Sequence, residues 1–440
     1  MESSCRKMHK GHALAFTASA STLAILLPLT AACTRGTQTE QTTPAPTITS
    51  FNAFPSPIRK NDSVNLIATF ANGEGLLEPG GQKIISGIPV KLKPEEKTTY
   101  TVTITNAAGV KATRKATVDV LPTGTPTLSL VTEIPSLSDT AAGIALDGSG
   151  NLYLSNPHTG VISTIAATGE ARVLAGKSLE LKDTDGPGEF ARFRSPCSMA
   201  IDGPGNLYVA DVGNGTVRRI TPEGEVRTLA GVALEFGGRH ETDREARFKR
   251  PWGLAVDATG NVYVGDTVDH TIRKVLPEGM LIDYAGNPEQ PGTSDGPRNS
   301  ARFDQPEGIA VDSAGNIWVA DRLSHTIRKV NPAGEVTTVA GRAGVPGMAD
   351  GVGSAATFNC PTGLAVDKSG NLYVADSGNN TIRKVNAAGV VSTLAGIPGS
   401  QGTKLGALPG LLNNPRYIAL DASTGNLLVS QPGSILKITF

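Results

Sequence analysis

The sequence predicts an all-β chain, and three observations carry that prediction. Gly (51) and Pro (29) are abundant while aromatics make up only 5% of the 440 residues, a composition suited to many short strands joined by tight turns. One string recurs six times: Gly143-Ile144-Ala145-Leu146-Asp147 is followed by versions ending at Asp202, Asp257, Asp312, Asp367 and Asp421, at steps of 55, 55, 55, 55 and 54 residues. Ahead of the repeats, residues 47–121 alternate apolar and polar, the period of strands that bury one face. Basic and acidic residues balance at 40 each, so the chain lacks the sustained positive field that a nucleic-acid partner would require.

The first 32 residues read as a secretory signal peptide. Arg6, Lys7 and Lys10 precede an apolar stretch over 13–27 that ends in Ala24-Ile25-Leu26-Leu27, and Pro28 leads into small residues. The run Leu29-Thr30-Ala31-Ala32-Cys33 resembles the lipobox of bacterial lipoproteins, with Thr30 where such motifs more often carry Leu. That resemblance implies cleavage before Cys33, acylation of Cys33, a membrane as partner through the N-terminal lipid, and an exported, lipid-anchored location in the bacterial cell envelope, at the outer membrane or cell surface. Without residues 1–32 the chain keeps 37 basic and 39 acidic residues, because Glu2 and three cations leave with the leader. Residues 33–46 are rich in Thr, Gln and Pro without apolar periodicity and are expected to form an extended tether.

Residues 47–121 are expected to form a β-sandwich. Val64-Asn65-Leu66-Ile67-Ala68-Thr69-Phe70 and Tyr100-Thr101-Val102-Thr103-Ile104-Thr105 show the period of two, and Asn72-Gly73, Pro79-Gly80-Gly81 and Asn106-Ala107-Ala108-Gly109 supply turns. The stretch resembles bacterial Ig-like domains but lacks the Cys, Trp, Cys core of antibody-type domains. No catalytic group stands out in it, and its expected role is that of a spacer between the tether and the repeats.

Residues 127–440 hold the repeat. After each Asp comes Gly-Asn, followed in five of the six copies by a Tyr or Trp, then versions of Thr-Ile-Arg-Lys-Val, a Gly turn and Val-x-Thr-Leu-Ala-Gly, best seen together in 370–396. These are four short strands, and a lone four-strand sheet cannot bury both its faces, so six copies are expected to stack around an axis as a six-bladed β-propeller. The last copy ends on its third strand, Ile435-Leu436-Lys437-Ile438-Thr439-Phe440, while Thr127-Leu128-Ser129-Leu130-Val131 precedes the first copy without a sheet of its own. Pairing of these two segments is expected to close the ring. The recurring strings resemble NHL repeats, which implies the propeller fold over about 310 residues and leaves function open.

Repetition separates scaffold from site. The Asp147, Asp202, Asp257, Asp312, Asp367 and Asp421 column is expected to cap the turn between first and second strands. Asp211, Asp266, Asp321 and Asp376 each stand seven residues before Arg218, Arg273, Arg328 and Arg383, a spacing that suggests a carboxylate–guanidinium staple; the first and sixth repeats have Asn156 with Ser163 and Gln431 with Lys437 instead. In the long connections, Asp185, Asp295 and Asp350 open Asp-Gly turns eight residues before Phe193, Phe303 and Phe358, aromatic pegs that Phe248 repeats. Calcium at Asp183-Thr184-Asp185-Gly186 would need further ligands.

One column varies in every copy: Ala142, Cys197, Trp252, Glu307, Thr362 and Arg416 stand one residue before the start of the repeated string. Six different side chains around a channel mouth suggest a ligand-reading surface, with Trp252 for stacking, Glu307 and Arg416 for charge, and Thr362 beside them. His270 and His325 hold equivalent loop positions in adjacent repeats and could flank one cleft, though two histidines do not make a zinc site. Cys197 and Cys360 fall in opposite sheets of a six-fold ring and are not expected to bridge. The residues favour a binding or scaffold module for a protein, peptide or glycan, with no catalytic residue, metal or cofactor expected. The alternative is a metal-dependent hydrolase or lyase like the propeller lactonases and amidating lyases, which needs convergent donors on inner strands that here carry Ile, Ala, Val and Leu.

Overall fold

The computed structural model describes residues 43–440 apart from 55, 57, 61–62, 123–124 and 238–245; the leader, Cys33 and most of the tether lie outside the described residues. Residues from Pro44 onward form one compact unit. Two sheets make the sandwich. Thr47–Phe54, Val64–Ala71 and Val90–Leu92 form one, and Gln82–Ile84, Glu74–Glu78, Thr98–Thr105 and Lys111–Val118 the other. Alternation does here what the sequence predicts: Val64, Leu66, Ala68, Tyr100, Val102 and Ile104 point into the shared core.

From Thr127 on, six antiparallel sheets succeed one another, each with the sequential meander order expected of tight turns between short strands. The second is typical: Pro196–Ile201, Leu207–Asp211, Thr216–Ile220 and Glu225–Ala230. First strands of neighbouring sheets pack side by side, and the sixth returns to the first, so the sheets close a ring as a β-propeller. The closure is the predicted one. Thr127–Glu133 pairs antiparallel with Ser434–Thr439, Thr127 opposite Thr439, with an irregularity between Leu130 and Thr132.

The repeated small residue at the start of the innermost strands has a steric cause. A Cβ on Gly253 would sit 1.7 Å from the Glu307 carbonyl oxygen, and one on Gly308 1.8 Å from that of Thr362. Backbones of adjacent sheets meet here, so only hydrogen fits.

The long connections contain more than loop. Gly186–Pro187, Gly296–Pro297, Gly351–Val352 and Gly406–Ala407 each add a two-residue strand to the outer edge of the second, fourth, fifth and sixth sheets. The Asp-Gly read as a plain turn therefore does two further things. In the fourth sheet Asp295 accepts from the Thr338 backbone N–H at 2.9 Å and meets Arg328 at 2.6 Å. Arg328 is fully buried, pairs with equally buried Asp321 at 2.9 Å, donates to the Arg302 and Ser294 carbonyls, and lies over Phe303 at 5.2 Å. The staple expected from the seven-residue spacing is thus, in this sheet, a four-part latch of Asp, Arg, Asp and Phe that ties the preceding connection to it. The second and fifth sheets repeat it with Asp211–Arg218 at 3.2 Å and Asp376–Arg383 at 2.9 Å. Asp183 and Asp185 both spend their carboxylates on Arg218, at 3.0 and 2.5 Å, so the pair weighed as a calcium site is occupied by an arginine. The third sheet departs from the expected staple: Arg273 turns to Asp283 at 2.7 Å, and Asp266 instead accepts the backbone N–H groups of Lys249 and Arg250.

The first Asp column caps turns as expected. Asp312 accepts from the Ala314 and Asn316 N–H groups, the Asn316 amide and the Trp318 indole at 2.8–3.0 Å, and these donors hold its carboxyl below the usual range although partial burial opposes them.

Candidate functional site

The variable column converges at the channel mouth, where it satisfies itself. Glu307, 6% exposed, is held on one oxygen by Arg416 at 2.5 Å and on the other by Arg322 at 3.1 Å. The guanidinium carbons of Arg416 and Arg250 lie 5.6 and 4.7 Å from the centre of the Trp252 ring. Thr362 is buried; its hydroxyl donates to the Arg416 carbonyl at 3.0 Å and lies 2.5 Å from the Ser377 hydroxyl. Trp252, Glu307, Thr362, Arg416 and Tyr417 line a cavity of about 50 Å³, room for a few waters and too small for a ring-sized ligand. Both oxygens of the one carboxylate there are committed to arginines, a donor set that does not fit a channel-bound divalent ion.

Off the axis the top face opens. A cleft of about 430 Å³ is lined by Thr140 and His158 of the first sheet, Ser195, Cys197 and Val212 of the second, Phe236 of the connection to the third, Lys249, Arg250 and Trp252 at the start of the third, and Arg416 and Tyr417 of the sixth. Phe236 is 52% exposed, a large apolar side chain left on a loop. Among the described residues of the lining there are three cations and no carboxylate. Burial pushes the Cys197 thiol up to about 12 and the Tyr417 phenol well above its ordinary value, so both stay protonated near neutrality and neither is poised as nucleophile or base.

Of the residues singled out from the sequence, Trp252 and Arg416 meet in the cleft, Glu307 lies below it as their anchor, and Thr362 lines the cavity underneath. His270 and His325 do not join them. Each sits in a left-handed backbone conformation, φ 59° and 57°, and its Nδ1 accepts an N–H from the next sheet, Gln305 at 3.2 Å and Cys360 at 3.1 Å. Asn380 does the same for Asn414 in the fifth sheet, so the histidines are inter-sheet ties. No disulfide joins Cys197 to Cys360. Sequence reading missed Lys249, Arg250 and Phe236. The signal for the first two was present: the two residues before the Pro column read Arg194-Ser195, Lys249-Arg250, Asp304-Gln305 and Asn359-Cys360, and only the third copy has two adjacent cations.

Comparison with known proteins agrees with the fold. The NHL repeat family matches residues 248–275, 303–330 and 358–385. NHL repeat-containing protein 2 of Bos taurus is 31% identical over 174 residues, covering 37% of this chain and 24% of that one. The chain spans about a quarter of the length of the first curated relatives it matches. Among solved structures, a Bacteroides thetaiotaomicron protein of unknown function superposes over 91% of this chain and 99% of its own with TM-score 0.56 at 16% identity. An auxiliary nutrient binding protein from the same species covers 90% of this chain and 97% of its own with TM-score 0.53 at 14% identity. Recurring strings, latched sheets, strand-closed ring and matched repeats together make this chain a β-propeller that contains NHL repeats.

Proposed function

We propose that the chain is an exported, lipid-anchored binding protein: a six-bladed NHL propeller, carried on an Ig-like spacer and tethered through Cys33, that holds a protein, peptide or glycan ligand on its loop-rich top face. The observation that carries the binding reading is the off-axis cleft. It is concave, of ligand size, built from loops of four sheets held by a rigid ring, and among the described residues contains no nucleophile matched to a base. Likeness in fold to a nutrient binding protein accords with that reading. The metal-hydrolase alternative finds no support at the channel, where Arg416 and Arg322 occupy the Glu307 carboxylate.

Two experiments test the proposal. Immobilised glycan and peptide libraries are screened with the wild-type chain and with Phe236→Ala and Arg250→Gln; hits lost in both variants at unchanged melting temperature support the cleft, and hits indifferent to both refute it. Membrane fractionation of Cys33→Ala tests the anchor: release into the soluble fraction is expected, and continued partition into membranes counts against lipidation.

A further inference from the structure

The charge at the cleft is specific enough to say what the ligand presents. Around it stand four cations, Lys249, Arg250, Arg322 and Arg416, and three carboxylates compensate them from behind: Asp269 at 3.0 Å from Lys249, Glu289 beside the same ammonium, and Glu307 between Arg322 and Arg416. Among the described residues these pairs leave one positive charge over. It belongs to Arg250, which is exposed and meets no carboxylate among the described residues. Its guanidinium rests over Trp252, whose other neighbour is Arg416, so the fork is ordered before any ligand arrives and little rotamer entropy remains to be lost. Across the opening, Phe236, Val212 and Tyr417 offer apolar surface, and Thr140 and Ser195 offer hydroxyls.

Resting on the binding function proposed for this face, we propose that the cleft takes a small ring-bodied monocarboxylate, its carboxylate received edge-on by Arg250 with Lys249 alongside and its body against Phe236. A planar two-oxygen anion matches the fork of an arginine. A single uncompensated charge matches a monoanion better than a phosphate dianion, and an opening of about 430 Å³ suits a body of one or two rings.

The protein supplies its own reporter. It has two tryptophans, Trp252 in the cleft and Trp318, whose indole donates to Asp312 where the other repeats place Tyr153, Tyr208, Tyr263 and Tyr373 on the equivalent Asp. Trp318→Tyr therefore leaves Trp252 as sole emitter in a sheet geometry that four other repeats already use. In that background, glucuronate, glucose, glucose 6-phosphate and glucosamine are titrated against Trp252 fluorescence. Saturable binding of glucuronate is expected, with at least about tenfold weaker binding of the neutral, dianionic and cationic probes. Arg250→Gln should weaken glucuronate binding by about tenfold, and raised salt should weaken it in the parent and not in the variant. Equal binding of glucose or glucosamine, an unchanged Arg250→Gln titration, or no response to any probe overturns the proposal. If library hits still depend on Phe236 in that event, the ligand class is wrong while the binding site stands.

Discussion

Replacing Arg328 by Leu, beside the same change at Arg273, measures what the latch is worth. In the fourth sheet the substitution strands Asp321, fully buried, with a backbone donor from Asp304 at 2.6 Å and no cation, and frees the carbonyls of Arg302 and Ser294. Removing one member of a buried, hydrogen-bonded ion pair costs about 3–5 kcal/mol, and the two lost carbonyl partners put this site toward the upper end. In the third sheet Arg273, among the described residues, pairs with half-exposed Asp283 and donates to one carbonyl, while Asp266 keeps its two backbone donors. The loss there should be about 2 kcal/mol, that of one charge-assisted bond and some packing over Phe248. Urea unfolding of both variants at pH 7.5, followed by circular dichroism, reads the difference. Burial already pushes the Asp321 carboxyl up to about 7 with Arg328 present, so without it the group takes a proton more readily. A carboxyl whose folded pKa exceeds its unfolded 3.8 costs stability once pH rises through the folded value, so the Arg328→Leu deficit should shrink as pH is lowered toward 5. Equal losses at the two arginines, or a deficit at Arg328 independent of pH, would refute the latch as the source of stability.

Three further outcomes rest on the same geometry. Gly308→Ala puts a Cβ within 1.8 Å of the Thr362 carbonyl oxygen, and because both sides are backbone the ring must open there, at a cost of about 3 kcal/mol visible in thermal melting; a melting point within a degree of wild type would contradict the close-approach argument. Deleting residues 435–440 removes the partner of both Thr127–Glu133 and Leu427–Gln431, so the ring should lose its single cooperative transition; an unchanged melt would disprove closure by the N-terminal strand. His270 and His325 have pKa values lowered from 6.5 by burial, with Asp304 and Asp269 opposing at His270 and Arg322 reinforcing at His325. The unfolded chain then takes up protons first, so their contribution is complete above about 6.5 and is lost as pH falls below it. The His270→Asn, His325→Asn double variant, which copies Asn380, should show a flatter stability profile from pH 6.5 to 5; an identical slope would exclude these rings as the acid-sensitive ties.

Fold and site differed in how far they could be read from residues alone. The ring was legible because all six sheets carry the turn-capping Asp, four the close-approach Gly (143, 253, 308 and 363) and three an identical Thr-Ile-Arg-Lys strand (from 271, 326 and 381), and needs that return at a fixed step leave a periodic trace. The missing strand at the C-terminus and the surplus strand at Thr127 likewise named each other. The latch was half legible. Asp321 and Arg328 lie seven residues apart on adjoining strands, but Asp295 comes from 33 residues before Arg328 and only the folded connection brings it there. In the variable column, difference alone could not say whether Glu307, Trp252 and Arg416 face a ligand or one another. They do the latter, because three large polar groups at a narrow channel mouth are satisfied most cheaply by pairing across it.

That pairing bears on where a ligand can sit. With the axis closed by Glu307 and its arginines, the accessible opening is displaced toward the seam of the ring, and the seam has a reason to be roomy. Every sheet from the second to the sixth is preceded by a connection of about twenty residues, whereas the first sheet is preceded only by the short run from Ile134 to Ala142 after the closing strand. Asn156 and Ser163 stand there in place of the latch, and no two-residue edge strand is added to that sheet. Closing the ring with a strand from the N-terminus thus leaves the first sheet without a long connection before it. The cleft lies beside that sheet, bounded by Thr140 and His158 on its side and by Arg250 and Phe236 on the other. A site at this position is a consequence of how the ring closes, and the residues free to specialise for a ligand are those of the sheets that flank the seam, with Arg250 over the Trp252 ring that Arg416 of the sixth sheet also meets.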